Sequence, residues 1–408
     1  APKIDLAVKY NGGNNAGHTV VVQGEKYTLH LLPSGILWEH VTPILGNGMV
    51  IDLPTLFQEL QDLINRGVNV SKLVVSAYAH VIMPYHKTLD AALENDPTKQ
   101  KIGTTKRGIG PTYADKIARS GIRVADLFDP LELEQKIGRA LVSKNAIFQQ
   151  YDLPTFTVNQ VVMELIPYIN RLKPMVKDVP WLVHHALKDS KSVLFEGGQA
   201  TMLDVDFGTY PYVTSSNATA GGALTGSGVG PTEISSVIGI SKAYCTRVGE
   251  GPFPTEIFGQ TAQIIRKRGS EYGATTQRPR RIGWFDAVVA EYASRINGLT
   301  DIVLTKLDIL SDLDEIPVCV GYRILGKNKP EHVVSHLMPM DMNLFENVVP
   351  EYHLFPGWTE DIQNIRDFKQ LPSNCRDYVL ALEELSHCRI SLIGVGPERD
   401  QVIVRHDF

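Results

Sequence analysis

The chain has 408 residues, 43% hydrophobic and 21% charged, which supports a sizeable core and excludes global disorder. Net charge is -5, from 40 basic and 45 acidic residues. This balance excludes a general nucleic-acid or membrane-surface binder, so any anion site must be a local cluster.

The four cysteines, Cys245, Cys319, Cys375 and Cys388, are scattered without a C-x-x-C spacing. They suggest a reducing, cytoplasmic setting and offer no zinc site. No apolar run approaches the roughly 18 residues that span a bilayer. The first residues show no signal-peptide pattern and no initiator Met, so the natural start is expected to be processed, trimmed or absent.

A short apolar strand at 4–10 runs into Asn11-Gly12-Gly13-Asn14-Asn15-Ala16-Gly17-His18-Thr19. Gly17 permits close backbone approach and offers a carbonyl, and His18 could stabilise a transferring phosphoryl oxygen. Residues 20–22 and 27–32 read as a hairpin. Leu53, Leu56, Phe57, Leu60, Leu63 and Ile64 follow helical spacing, with Pro54 in the first turn and Gly67 just past the end. Leu73-Val74-Val75 reads as a buried strand, and helical patterns follow at 131–150, 159–172 and 180–189.

Between these lies Ile102-Gly103-Thr104-Thr105-Lys106-Arg107-Gly108-Ile109-Gly110-Pro111, a glycine-and-hydroxyl loop suited to phosphate. Further buried strands are expected at 192–195, 301–304, 317–322 and 389–393. The first leads into Glu196-Gly197-Gly198-Gln199-Ala200-Thr201 and a polar stretch through Asn217. There Gln199 can read a base edge and Thr214 can donate to phosphate.

Gly273-Ala274-Thr275-Thr276-Gln277-Arg278-Pro279-Arg280-Arg281 sets three arginines beside two threonines, a cradle for carboxylate or phosphate. Thr305-Lys306-Leu307-Asp308, closing an apolar strand, is a guanine-reading pattern. The Asp carboxylate accepts from the base N1–H and 2-amino group, and the Lys stem packs on the ring. Gly394-Val395-Gly396 could approach the same base.

Strands alternating with helices imply an α/β fold with a central, mostly parallel sheet and helical insertions. Without repeats or a low-complexity linker, one domain spanning 1–408 is expected.

Eight ordered segments carry a resemblance across the whole chain: N-A-G-H-T, L-H-L-L-P-S-G, I-G-T-T-K-R-G-I-G-P, D-V-D-F-G-T-Y-P-Y-V-T-S-S-N, T-R-V-G-E-G-P-F-P-T-E, G-A-T-T-Q-R-P-R-R-I-G-W-F-D, L-T-K-L-D and G-V-G-P-E-R. Together they resemble the adenylosuccinate synthetase family. The resemblance implies a P-loop-NTPase-like fold and ligation of L-aspartate to IMP with GTP and Mg²⁺, through a 6-phosphoryl intermediate. His18 would be catalytic, and the Gly17 carbonyl would ligate Mg²⁺. Asn15, Ala16, Gly17, His18, Thr105, Arg119, Gln199, Thr214, Val248 and Arg278 would hold IMP, with Arg119 reaching the partner subunit's site in a homodimer. Ala274, Thr275, Thr276, Gln277, Arg278 and Arg280 would bind aspartate. Gly17, His18, Thr19, Arg280, Lys306, Leu307, Asp308, Gly394, Val395 and Gly396 would bind GTP.

Two departures stand out. Gln277 and Pro279 occupy positions where the family commonly has glycine and a basic residue. The family's opening strand and W-G-D-E-G-K-G-K phosphate loop, with its Asp and Lys, also have no counterpart in this sequence. The alternative expectation is therefore a form that binds nucleotides or dimerises without turnover.

Overall fold

A computed structural model describes residues 3–22, 24–273, 278–324, 333–339 and 341–407. The chain forms two compact units, Ala1–Val20 with Lys26–Glu233, and Val21–Glu25 with Ile234–Phe408.

In the first unit, strand β1 (Leu6–Lys9) is completely buried. β2 (His18–Val22) and β3 (Glu25–Leu29) pair as a ribbon, three residues shorter at its far end than the hairpin expected to reach Leu32. β4 (Thr42–Leu45) and the short β5 (Val50–Ile51) precede helix α1 (Leu53–Asn65). α1 buries Leu53, Leu56, Phe57, Leu60 and Leu63 on one stripe, as the spacing dictates, whereas Ile64 in its last turn is exposed. β6 (Val74–Ser76), β7 (His80–Val81), α2 (Pro84–Asn95) and α3 (Ile109–Ala118) follow.

The helical insertion comprises α4 (Pro130–Gln150) and α5 (Val158–Leu172). Asp129 caps α4 by accepting from the Leu131 and Glu132 amides, and Thr157 with Gln160 forms a capping box on α5. β8 (Val176–Lys177), α6 (Val179–Lys188), β9 (Val193–Glu196) and α7 (Gly221–Ser227) complete the unit.

The first unit's sheet has the order β8-β6-β4-β1-β9, with every pairing parallel. β1 and β9 run in register to their carboxyl ends, so Lys9 lies opposite Glu196. Ligand-binding loops of parallel sheets gather at that end. Here they are residues 10–17 and 197–201.

The second unit opens with β10 (Ile238–Lys242), β11 (Cys245–Arg247) and α8 (Gly259–Arg268). β12 (Arg281–Gly283), β13 (Phe285–Asp286), α9 (Ala287–Asn297), β14 (Asp301–Thr305) and β15 (Glu315–Ile324) follow. β16 (Val333–Ser335), the single turn α10 (Met342–Phe345), β17 (Val349–Pro356), α11 (Ser373–Leu385), β18 (Ile390–Gly394) and β19 (Val402–Val404) end it.

β10, β14 and β18 are parallel neighbours, and β19 closes that sheet antiparallel. The strand expected at 317–322 is longer and pairs antiparallel with β16 and β17, giving a mixed second sheet. The core of this unit gathers Tyr244, Ile265, Leu304, Leu310, Trp358 and Tyr378. The buried Tyr378 hydroxyl is satisfied by the Ala243 carbonyl at 2.7 Å.

Candidate active site

At the end of β1 the chain must turn sharply. Gly12 does so at φ 77°, and a side chain there would run into the Gln199 amide. Asn11 then ties this loop to the one after β9. Its Nδ2 donates to Gln199 Oε1 at 2.9 Å and Ser216 Oγ at 3.1 Å, and its Oδ1 accepts from the Gly198 amide at 3.0 Å. Asn15 Oδ1 accepts from the Gly13 amide at 3.1 Å and from Gln199 Nε2 at 3.5 Å. Asn15 Nδ2 faces Thr214 Oγ1 at 3.5 Å. Three residues expected at the purine nucleotide, Asn15, Gln199 and Thr214, thus converge in the first unit.

His18 begins β2 directly after this loop, and its Nδ1 lies 2.7 Å from Glu196 Oε1. The other carboxylate oxygen accepts from the Ser34 amide at 2.8 Å and hydroxyl at 2.6 Å. Burial opposes ionisation of Glu196. The His18 contact, the charge of Lys9 and the Ser34 hydroxyl prevail and hold its carboxyl down at about 2. An ionised carboxylate holds a proton on His18 Nδ1 and leaves Nε2 facing outward for a ligand.

The L-H-L-L-P-S-G motif supports this arrangement twice. Ser34 holds Glu196, and His30 Nδ1 donates to the Ala16 carbonyl at 2.7 Å. The His30 and Leu31 amides are themselves held by Glu59 at 2.7 and 3.0 Å. Lys9, fully buried, donates to the His30 carbonyl at 2.6 Å.

The second glycine loop leads into α3. Gly108 caps the helix at φ 79°, its amide donating to Asp90 Oδ2 at 2.8 Å. Arg107 donates to the Asn14 carbonyl at 2.7 Å, and the Gly12 amide donates to the Tyr113 hydroxyl at 3.0 Å. This segment therefore braces the first loop. Thr105 is half-buried within it, and Arg119 is exposed in the left-handed cap of α3 at φ 63°.

In the second unit, β14 and β18 are neighbours, so their carboxyl ends bring Lys306, Leu307 and Asp308 beside Gly394, Val395 and Gly396. A side chain at Gly394 would meet Thr305 Cα at 3.4 Å, so the two strand ends lie close together. Lys306 adopts φ 61°, and its Nζ donates to the Gly269 carbonyl at 2.5 Å. Asp308 has its carboxyl pushed up by burial, while Gln363 Nε2 approaches at 3.4 Å.

Arg280 NH1 donates to the fully buried Glu271 at 2.5 Å. Val248 is half-exposed, and the Arg278 carbonyl accepts from the Gly273 amide at 2.8 Å. Ala274, Thr275, Thr276 and Gln277 lie outside the described residues. Arg281 departs from the arginine cradle: it grips Glu256 and the Gly249 and Gly251 carbonyls, and so holds the T-R-V-G-E-G-P-F-P-T-E loop.

No pattern in the sequence assigns a role to Asn11, Ser34, Glu196 or Glu271. The available signal for Glu196 was its place at the end of a strand, one residue before a glycine pair. Among the described residues no group of three or more His, Cys, Asp or Glu side chains is placed to hold a metal.

A family model described as adenylosuccinate synthetase matches residues 1–403. The chain is 57% identical over 407 residues to the adenylosuccinate synthetase of Leifsonia xyli, covering 100% of this chain and 92% of that one. It is 56% identical over 407 residues to the enzyme of Bifidobacterium animalis, covering 100% and 94%. The structure of the fully ligated adenylosuccinate synthetase of Plasmodium falciparum superposes with a TM-score of 0.92 at 39% identity, covering 99% of this chain and 94% of that one. A family match over nearly the whole length, on the loops that build both strand-end sites, places this chain in the adenylosuccinate synthetase family, the ligases that join L-aspartate to IMP with GTP in purine biosynthesis.

Proposed function

We propose that the loops at the end of β1 and β9 hold IMP, that the ends of β14 and β18 read guanine, and that His18 acts at the transferring phosphoryl group. The observation that carries this reading is the His18–Glu196–Ser34 chain beside the Asn15–Gln199–Thr214 cluster. An amide-like oxygen is a poor leaving group. In this reading the IMP 6-oxygen attacks the γ-phosphorus of GTP as the N1 proton is lost, and GDP leaves. The aspartate amine then attacks C6, phosphate departs with the former 6-oxygen, and the amine loses a proton.

His18 Nε2–H would donate to the developing charge on the transferring oxygens, and the Glu196 carboxylate would stabilise the imidazolium that does so. Gln199 and Asn15 would orient the purine, and Thr214 would bind its phosphate. Val248 and Arg278 would complete the IMP site. Residues 274–278 and Arg280 would receive aspartate, and Asp308 would select guanine.

The Gly17 carbonyl is a hard oxygen donor and suits Mg²⁺ as one ligand among phosphates and water. When bound, Mg²⁺ would neutralise charge on the phosphates. Arg119, exposed and held in a left-handed cap, suits a reach into the partner subunit of a homodimer. Four free thiols fit a cytoplasmic setting.

The test is adenylosuccinate formation from IMP labelled with ¹⁸O at the 6-position. Label recovered in inorganic phosphate, with loss of turnover in His18→Asn, is the expected result. Label left in the purine product, or full activity of His18→Asn, overturns the assignment.

A further inference from the structure

The carboxylate of Glu271 is fully buried in the second unit, yet three cations face it. Lys242 Nζ donates to its two oxygens at 2.8 and 2.9 Å, Arg280 NH1 donates at 2.5 Å, and Lys306 Nζ lies at 3.7 Å. The Tyr244 hydroxyl adds a third donor at 2.7 Å. One negative charge thus organises two groups of separate loops, Arg280 at the base of the 271–280 hairpin and Lys306 of the T-K-L-D turn.

The backbone repeats the link. Arg280 N donates to the Glu271 carbonyl at 2.9 Å, Tyr272 pairs with Pro279, and Gly273 N donates to the Arg278 carbonyl at 2.8 Å. These pairings join 271–273 to 278–280, the two described flanks of the candidate aspartate segment. Arg266 Nε donates to the Arg280 carbonyl at 2.9 Å, and Lys306 Nζ donates to the Gly269 carbonyl at 2.5 Å. These tethers of Arg280 and Lys306 return to the segment 266–271.

We infer that Glu271 is a positioning residue that presets Arg280 and Lys306 as a pair for the guanine nucleotide and ties the aspartate loop to the nucleotide site. The inference rests on the assignment of Arg280 and Lys306 to GTP. A guanidinium gripped through one terminal nitrogen keeps further N–H donors for a phosphate. A lysine held at its tip by a carbonyl presents its stem along a base at lower entropic cost than a free side chain.

The test is calorimetric binding of GDP and, separately, of IMP to the full chain, with melting temperature measured in parallel. Glu271→Gln keeps the size and loses the charge, and Glu271→Asp keeps the charge but shortens the reach. The expected result is GDP affinity about ten-fold weaker in Glu271→Gln, IMP affinity within two-fold of wild type, and partial recovery in Glu271→Asp. Equal loss of GDP and IMP affinity with a lowered melting temperature would mean a structural role only and overturn the inference. Unchanged GDP affinity overturns it as well. Tighter GDP binding also overturns it, since Glu271 would then sequester Arg280 from the ligand. Wild-type protein that binds no GDP overturns the guanine-site reading itself, and the inference with it.

Discussion

His18 Nδ1 and Glu196 Oε1 stand 2.7 Å apart across 178 residues of sequence, joined because β1 and β9 end in register. With its carboxyl held down at about 2, Glu196 carries its charge through the neutral range. It therefore sets the imidazole tautomer without titrating in the working range. Glu196→Gln keeps a hydrogen-bond acceptor for Nδ1–H and removes the charge that stabilises an imidazolium. We expect kcat to fall on the order of 100-fold, with KM for IMP held within two-fold. Steady-state kinetics at saturating GTP measures both, and a kcat within three-fold of wild type would dismiss the role given to Glu196.

Guanine selection gives a second prediction. Asp308 can accept from both the N1–H and the 2-amino group of guanine, whereas a side-chain amide at this position would offer one acceptor and one donor. Asp308→Asn should raise KM for GTP about 100-fold and favour xanthosine triphosphate, whose 2-carbonyl accepts from the amide. Competition between the two nucleotides checks this. An unchanged preference for GTP would remove Asp308 from the base site.

Which parts of this site were legible in the sequence follows from how each is built. T-K-L-D and G-V-G-P each close an apolar strand, so pattern alone placed them at strand ends. Their meeting needed only parallel neighbours, which βα alternation implies. The N-A-G-H-T loop was legible for the same reason. Glu196 and Glu271 were not, because a buried carboxylate declares its role only through partners fixed by register and hairpin closure. Arg281 looked like an anion ligand beside Arg278 and Arg280. Only the fold reveals that Glu256 and two glycine carbonyls already occupy it. The strand at 317–322 was legible as apolar, but its antiparallel partners lie outside any local pattern.

A third prediction concerns the brace beneath α3. The Met83 amide donates to His86 Nδ1 at 3.0 Å, so the ring's proton sits on Nε2, which donates to Asp115 Oδ2 at 2.9 Å. Lys144 donates to Asp115 Oδ1 at 2.5 Å, with all three groups largely buried. Asp115→Asn leaves Lys144 without its counter-charge and should cost about 3 kcal/mol in urea unfolding. Burial raises the carboxyl of Asp115, but His86 and Lys144 outweigh it and the net shift is downward. Its stabilisation is thus full above the ordinary carboxylate range and is lost as pH falls below it. A variant as stable as wild type at pH 7 would refute the brace.

Asp286 has the opposite sign. It caps α9 through the Val289 amide at 3.2 Å and accepts from the Tyr322 hydroxyl at 2.6 Å. Burial pushes its carboxyl up to about 6, against the lowering effect of Tyr322, the helix amides and Cys319. The folded chain then holds this proton more tightly than the unfolded chain does. Stability from this group is complete below about 4 and declines as pH rises through about 6, where the carboxylate ionises in the fold. The decline should amount to roughly 2–3 kcal/mol. Asp286→Asn keeps a capping oxygen and cannot ionise, so its stability should lack this decline between pH 4 and 6.5 and match or exceed wild type at pH 7.5. The difference between the two unfolding free energies, followed across that range in urea, measures it. A constant difference would mean that the carboxylate is already ionised throughout, and that Tyr322 and the amides of α9 dominate its burial.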